Sequence, residues 1–258
     1  MPRRSINRLL PRLVHGVLLS AAMALAGCKG QPAQVADPVE KAQPELAVMT
    51  SLPILWAEGD IGSMLSGDNA GNWVKDRLEQ RYRLVPVDRL TQLSGRSRLL
   101  LAQPRALSGE ENVALDDWVR EGGDVLLLAD PMLTAHSDYA LGDARAPQPV
   151  ALLSPILARW GMELTFDPAQ SPEMRVSQGD LALPVRMTGG LRLTGQGHQS
   201  TCTLSENALI ARCDIGEGRV TVVADAALVE DVDHALNGGP QALDRLLDTA
   251  FADASGQS

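Results

Sequence analysis

Apolar and polar positions along this chain change period several times, and each change marks an element. Leu46–Met49 (LAVM) is an apolar run of strand length, followed by a Gly/Ser/Asp-rich stretch through Gly71. Asn72 then offers an N-cap to a helix in which Val74, Leu78 and Tyr82 fall at i, i+4 and i+8. Leu84–Val87 predicts a second strand and Arg98–Ala102 (RLLLA) a third. An unbroken apolar run of this kind is expected where both faces of a sheet are covered. Ser108-Gly-Glu-Glu111 is a capping box, with Ser at the N-cap and Glu at N3. The helix behind it is predicted to bury Val113, Leu115, Trp118 and Val119 and to stop at Gly122-Gly123. Val125–Ala129 (VLLLA) is another fully apolar strand, so strand, capped helix and strand make a βαβ unit with a parallel pair.

The second half reads differently. Val150–Trp160 predicts a helix in which Pro155 marks a kink or a break. Short β-like runs follow at Leu164–Phe166, Leu181–Met187, Leu191–Thr194, within Thr201–Ile215, and at Arg219–Ala224, with turns at Gly189-Gly190 and Gly216-Glu-Gly218. Val220–Ala224 is apolar enough to be a core strand of the main sheet. Pro240–Phe251 predicts a last helix with Leu243, Leu246, Leu247 and Phe251 on one face. No internal repeat is visible. The expected fold class is α/β: a doubly wound, mostly parallel sheet with an antiparallel β-rich insertion over about 163–215, in one domain spanning 46–254.

The first residues have another character. Arg3, Arg4, Arg8 and Arg12 form a basic region, Leu13–Ala26 is apolar but shorter than the roughly 20 residues of a membrane span, and Leu25-Ala26-Gly27-Cys28 closes it. That tetrapeptide resembles the bacterial lipobox, whose Cys is diacylated and becomes the new N-terminus. Residues 1–27 are therefore expected to be a lipoprotein signal peptide and residues 28–45 a disordered Pro/Ala-rich tether. A secretory signal with an incidental Cys, or an uncleaved anchor helix, are the alternatives. Lys29 after the Cys favours the outer membrane over the inner. Loss of residues 1–27, with four Arg and no acid, takes the formal net charge from −9 to −13.

Two further cysteines remain for an oxidising compartment. Cys202 and Cys213 flank a polar turn near Glu206-Asn207, and in such a hairpin they face each other across the strands. A disulfide is expected; free thiols or a metal site are the alternatives. A metal would need ligands beyond His198.

Composition narrows the function. The chain is 45% hydrophobic and 21% charged, which suits a globular domain, while 3% aromatic content is too low for nucleic-acid stacking platforms. A net charge of −9 likewise argues against a nucleic-acid partner.

Leu99–Pro131, LLLAQPRALSGEENVALDDWVREGGDVLLLADP, resembles the GldG-like family of auxiliary components of uncharacterised ABC-type transport systems. The shared pattern is an apolar strand ending in a Pro turn, a Ser-capped helix, a double-Gly stop and a second apolar strand ending in Asp-Pro. Gly216–Asp225 is similar to a later strand of that family. The resemblance implies a flavodoxin-like sheet of the class I glutamine amidotransferase type, in proteins not known for catalysis. The chain departs from the family in lacking a C-terminal membrane helix.

Candidate chemistry is sparse. Hydrolases of this class need a Cys or Ser on a strand–helix elbow, whereas the strand ends here read Ala102-Gln103-Pro104 and Ala129-Asp130-Pro131. No phosphate-binding Gly-rich loop is present, and His136, His198 and His234 lie far apart, as surface residues do. No cofactor or metal is expected. Asp88, Asp130 and Asp225 each follow an apolar run, so each should reach the carboxyl edge of the sheet, where they could form an acidic binding pocket or simply cap turns. In the stretch 51–71, Trp56, Glu58 and Asp60 are binding candidates; Ile54-Leu55-Trp56 is either an exposed anchor or a core plug. The expectation is a lipid-anchored, non-catalytic envelope protein facing the periplasm, attached to the membrane through Cys28 and acting beside an ABC permease or ATPase. The alternative is a periplasmic binding module for a small or cationic solute.

Overall fold

The computed structural model describes residues 43–56, 72–140, 142–143, 145–230 and 238–252. Cys28, Glu58, Asp60 and His234 lie outside them. A seven-stranded sheet runs in the order β2-β1-β3-β4-β11-β10-β9. Its strands are β1 (Glu45–Thr50), β2 (Arg83–Pro86), β3 (Arg98–Ala102), β4 (Asp124–Leu128), β9 (Ser200–Ser205), β10 (Ile210–Ile215) and β11 (Gly218–Val223). The first five in that order are parallel; β10 and β9 add on antiparallel. Residues 200–215 thus extend the main sheet instead of belonging to an insertion. The β-rich insertion narrows to two small antiparallel pairs, β5 (Met162–Phe166) with β8 (Gly189–Leu193) and β6 (Arg175–Val176) with β7 (Pro184–Val185). The expected strand Leu181–Met187 shrinks to β7 because both ends turn: Ala182 and Met187 have φ of 48° and 52°.

β3 and β4 lie at the sheet centre with their four apolar residues buried, as continuous apolar runs require. The helix between them, α2 (Gly109–Arg120), is held by the capping box: Ser108 Oγ accepts Glu111 N–H at 3.2 Å and Glu111 Oε2 accepts Ser108 N–H at 3.0 Å. Its buried line is Glu111, Leu115, Val119, spaced four apart. Val113 is a correction: it is 60% exposed, since two residues before Leu115 is the opposite side of a helix. Asn72 caps α1 (Trp73–Glu79), accepting from Val74 N–H and Lys75 N–H. α3 is Ser154–Arg159, with Pro155 in its first turn, where a missing N–H costs nothing; Val150 and Leu152 lie before it and are exposed. α4 is Gly239–Ala250. α1 meets α4 through the Arg77–Asp244 pair, and α2 meets α3 where buried Asp116 accepts from Arg120, Arg159 and Trp160.

Cys213 pairs with Cys202 across β10 and β9, and the two form a disulfide with Cα atoms 4.0 Å apart. The turn Gly216-Glu-Gly218 packs onto the end of α2; a Cβ at Gly218 would stand 2.1 Å from Val119 O, so no larger residue fits there. No helix among the described residues is long and apolar enough to cross a membrane.

Candidate functional site

Five parallel strands deliver their carboxyl ends to one edge, and most of the candidate residues gather there. The chain passes from β1 to β2 on one side and then returns to β3 on the other, so β1 is the strand at which the order reverses. Open α/β sheets bind ligands at such a reversal. Here a cleft of ≈ 490 Å³ opens over the ends of β1 and β2, lined among others by Thr50, Trp56, Asp88, Arg105, Tyr139, Arg145 and Gln148.

The cleft's cations have fixed partners. Arg105 donates to both oxygens of Glu111 (2.9 and 2.7 Å) and to the carbonyl of Asp88 at 2.6 Å. Glu111 is buried and also accepts from the Ser108 and Leu90 amides. The Arg105 guanidinium, with these amides, holds the Glu111 carboxyl down at about 2 against its burial. Arg145 donates to both oxygens of Asp143 and lies 4.4 Å from the Tyr139 ring centroid.

Between the cleft and the neighbouring strands stands Gln103, immediately after β3. Its φ of 45° is left-handed, an uncommon conformation for a non-glycine residue. Its side chain is fully buried: Oε1 accepts Asp130 N–H at 2.8 Å, while Nε2 donates to the carbonyls of Asp130 (3.0 Å) and Gln148 (2.9 Å). Ser51 Oγ adds bonds to Gln103 O and from Gln148 N–H. A left-handed residue directly after β3 thus carries an amide engaged at both ends, with residues 103–108 leading on to α2.

The three sequence-selected aspartates do not form one pocket. Asp88 is exposed at the cleft over β2. Asp130 and Asp225 are buried over β4 and β11, on the far side of β3. Both carry out turn capping: Asp130 accepts Met132 N–H at 2.7 Å and Asp225 accepts Ala227 N–H at 2.6 Å. Their second oxygens accept Ala226 N–H and Arg186 N–H. Glu230 joins them, bonded to Arg186 Nη2 at 2.6 Å. Burial pushes Asp130 up to about 6, raises Asp225 well above its ordinary value with Asp130 adding repulsion, and raises Glu230. Among the described residues no group of three or more His, Cys, Asp or Glu is arranged to hold a metal ion.

In the 51–56 segment Ile54 plugs the core at 1% exposure, while Trp56 stands 55% exposed at the cleft. The anchor and plug roles are thus divided between neighbours. His136 and His198 are exposed. Sequence reasoning missed Gln103, Arg105, Arg145, Arg186 and Glu230. Only Gln103 carried a signal, its place between a buried strand and a proline.

No protein-family model matches this chain, and no curated protein matches it. Solved structures do. The mmIFT52 N-terminal domain superposes with a TM-score of 0.50 at 14% identity, over 81% of this chain and 98% of that one. The exo-β-1,4-mannosidase Op5Man5 from Opitutaceae bacterium strain TAV5 gives 0.47 at 14% identity, over 82% of this chain and 36% of its own. A putative ThuA-like protein from Bacteroides uniformis ATCC 8492 gives 0.42 at 12% identity, over 88% and 98%. This chain thus spans about a third of the mannosidase, and at 14% identity the likeness to the mmIFT52 domain is one of fold alone.

Proposed function

We propose that this protein is a lipid-anchored, non-catalytic binding protein of the bacterial envelope, and that its ligand enters the cleft over β1 and β2. The observation carrying this reading is an open cleft at the strand-order reversal, beside a strand end occupied by Gln103 and not by a Cys or Ser. A carboxamide bonded at both ends is not a nucleophile. The order β2-β1-β3-β4-β11 matches doubly wound flavodoxin-like sheets, so we assign that architecture, with the pairs α1/α4 and α2/α3 on opposite faces. The lipobox-like ending at Cys28 supports a lipid anchor, a periplasmic domain and, through Lys29, the outer membrane. Thermal shift against a library of small polar solutes tests the binding role. We expect a saturable rise in Tm that Arg145→Ala weakens; turnover of an added substrate overturns the non-catalytic reading.

A second reading follows from the GldG-like resemblance: an accessory subunit of an ABC-type system. Met132, Val150 and Leu152 favour it, being exposed apolar side chains on two segments joined by Leu133 N–H to Pro149 O and Ala151 N–H to Asp130 O. Purification of the full-length protein from solubilised envelopes should then bring an ATPase or permease with it, and Cys28→Ala should lose it.

A further inference from the structure

We infer that the cleft takes a neutral, polyhydroxylated ligand of the saccharide type, an inference that rests on the cleft being the ligand site. Its charge balance, its mixture of donors and acceptors, and the aromatic surface at its mouth point to the same chemistry.

An anion finds little to bind. Arg105 is chelated by Glu111 and Arg145 by Asp143, so each cation lining the cleft already faces a carboxylate. Asp88 has no ion pair among the described residues and adds a further negative charge. A phosphate or carboxylate ligand would have to compete with two bidentate internal pairs. A compact cation meets the reverse difficulty. The one carboxylate open to it stands beside the Arg105 guanidinium, which bonds the Asp88 carbonyl at 2.6 Å.

Hydroxyl groups donate and accept together and carry no charge into either field. Asp88 offers a carboxylate acceptor. Arg145 keeps N–H donors beyond those directed at Asp143, held in a fixed plane by the chelation, whereas the Nη atoms of Arg105 are spent on Glu111, Ala106 O and Asp88 O. Gln148 brings a carboxamide with both functions, its backbone pinned by Ser51 and Gln103. Trp56 supplies the apolar counterpart: an indole 55% exposed to water at the cleft, a flat surface suited to the C–H face of a pyranose. Tyr139, with Arg145 stacked 4.4 Å from its centroid, adds a second flat element. The ≈ 490 Å³ volume falls within the roughly 300–1,000 Å³ of small-molecule sites.

The test titrates the full-length lipidated protein, in a detergent without sugar head groups, with cellobiose, chitobiose and maltotriose, and separately with spermidine and inorganic phosphate. Saturation-transfer NMR reads ligand binding directly, and tryptophan fluorescence reads the cleft. We expect saturable binding of at least one saccharide with a Kd at or below about 1 mM. Trp56→Ala should weaken it about tenfold and Asp88→Asn about threefold, with Tm unchanged since both side chains are exposed. Spermidine or phosphate binding that Asp88→Asn or Arg145→Ala alters, without saccharide binding, keeps the cleft as the ligand site and overturns the saccharide class. Saccharide binding that no cleft variant changes overturns both readings. Absence of binding by any saccharide probe up to about 10 mM overturns the inference.

Discussion

Glu111 and Asp130 are both buried carboxyls at the same edge of one sheet, yet their proton affinities move in opposite directions. Glu111 faces a bidentate guanidinium and two backbone amides, and its charged form is favoured. Asp130 accepts two amides but pairs with no cation among the described residues, and it shares its surroundings with Asp225 and Glu230, for which Arg186 is the guanidinium at hand. Burial is common to both; the count of cations per carboxylate is what differs. One guanidinium for one carboxylate leaves a group ionised down to about pH 2, and one for three leaves a group that holds its proton up to about pH 6. The first arrangement builds a fixed wall for an open cleft, and the second a closed knot beneath the neighbouring strand ends.

Removing each region's cation should break the comparison most sharply. Arg186→Met leaves Glu230 without its ion-pair partner in a cluster of three buried carboxyls and should cost about 3–5 kcal/mol at pH 7 in denaturant unfolding, with a smaller loss at pH 5 as the cluster takes up protons. Arg105→Met, at a half-exposed guanidinium, should cost about 1–2 kcal/mol and lose no more at pH 7 than at pH 5. Equal, pH-independent losses at both sites would show that the two regions do not differ in the way described.

Glu111→Ala removes the cap's return bond and the Arg105 partner together, and a loss of about 2 kcal/mol is expected in the same measurement.

The pH dependence of the unaltered protein sharpens the contrast. Glu111 has a folded value of about 2 against 4.5, so its stabilisation is present above pH 4.5 and is lost as pH falls toward 2. Asp130 has a folded value of about 6 against 3.8, so its contribution is full below pH 3.8 and is lost as pH rises through 6; Asp225 and Glu230 act in the same direction. Unfolding free energy should therefore peak near pH 4, decline from there through about pH 6 and be lower at pH 7.5. Asp130→Asn should flatten the upper limb, and Glu111→Gln the lower.

The smallest effect belongs to the cleft mouth. Trp56→Ala should leave stability within about 0.5 kcal/mol, since the indole is exposed. A larger loss would make Trp56 part of the core, like its neighbour Ile54.

Legibility in the sequence followed the distance over which the signal acts. The capping box at Ser108, the buried strands Arg98–Ala102 and Asp124–Leu128, the Asn72 cap and the Cys202–Cys213 pairing were all readable, because each depends on residues no more than about a dozen positions apart. Val113 was misread because an apolar residue was assigned to the buried face against its helical phase. At the edge, the runs ahead of Asp88, Asp130 and Asp225 were legible as strand ends, but not which strands would be neighbours. The order β2-β1-β3-β4-β11 separates Asp88 from the other two. The Arg186–Glu230 bond spans 44 positions and Gln103 reaches Gln148 across 45, and neither leaves a local pattern.

By itself, the sequence determined the elements of the central sheet, the helix starts at Asn72 and Ser108 and the facing cysteines, since backbone hydrogen bonding and side-chain period act over a few residues. It also determined that neither Cys nor Ser directly follows β3. Only the tertiary structure decided that the backbone is left-handed at Gln103, that Glu111 caps a helix and anchors a cleft arginine, and that Asp130 and Asp225 are buried with Glu230. The physical reason is that burial and charge pairing are set by whatever the fold brings across the sheet edge, and an ionisable group's chemistry belongs to those neighbours as much as to its own side chain.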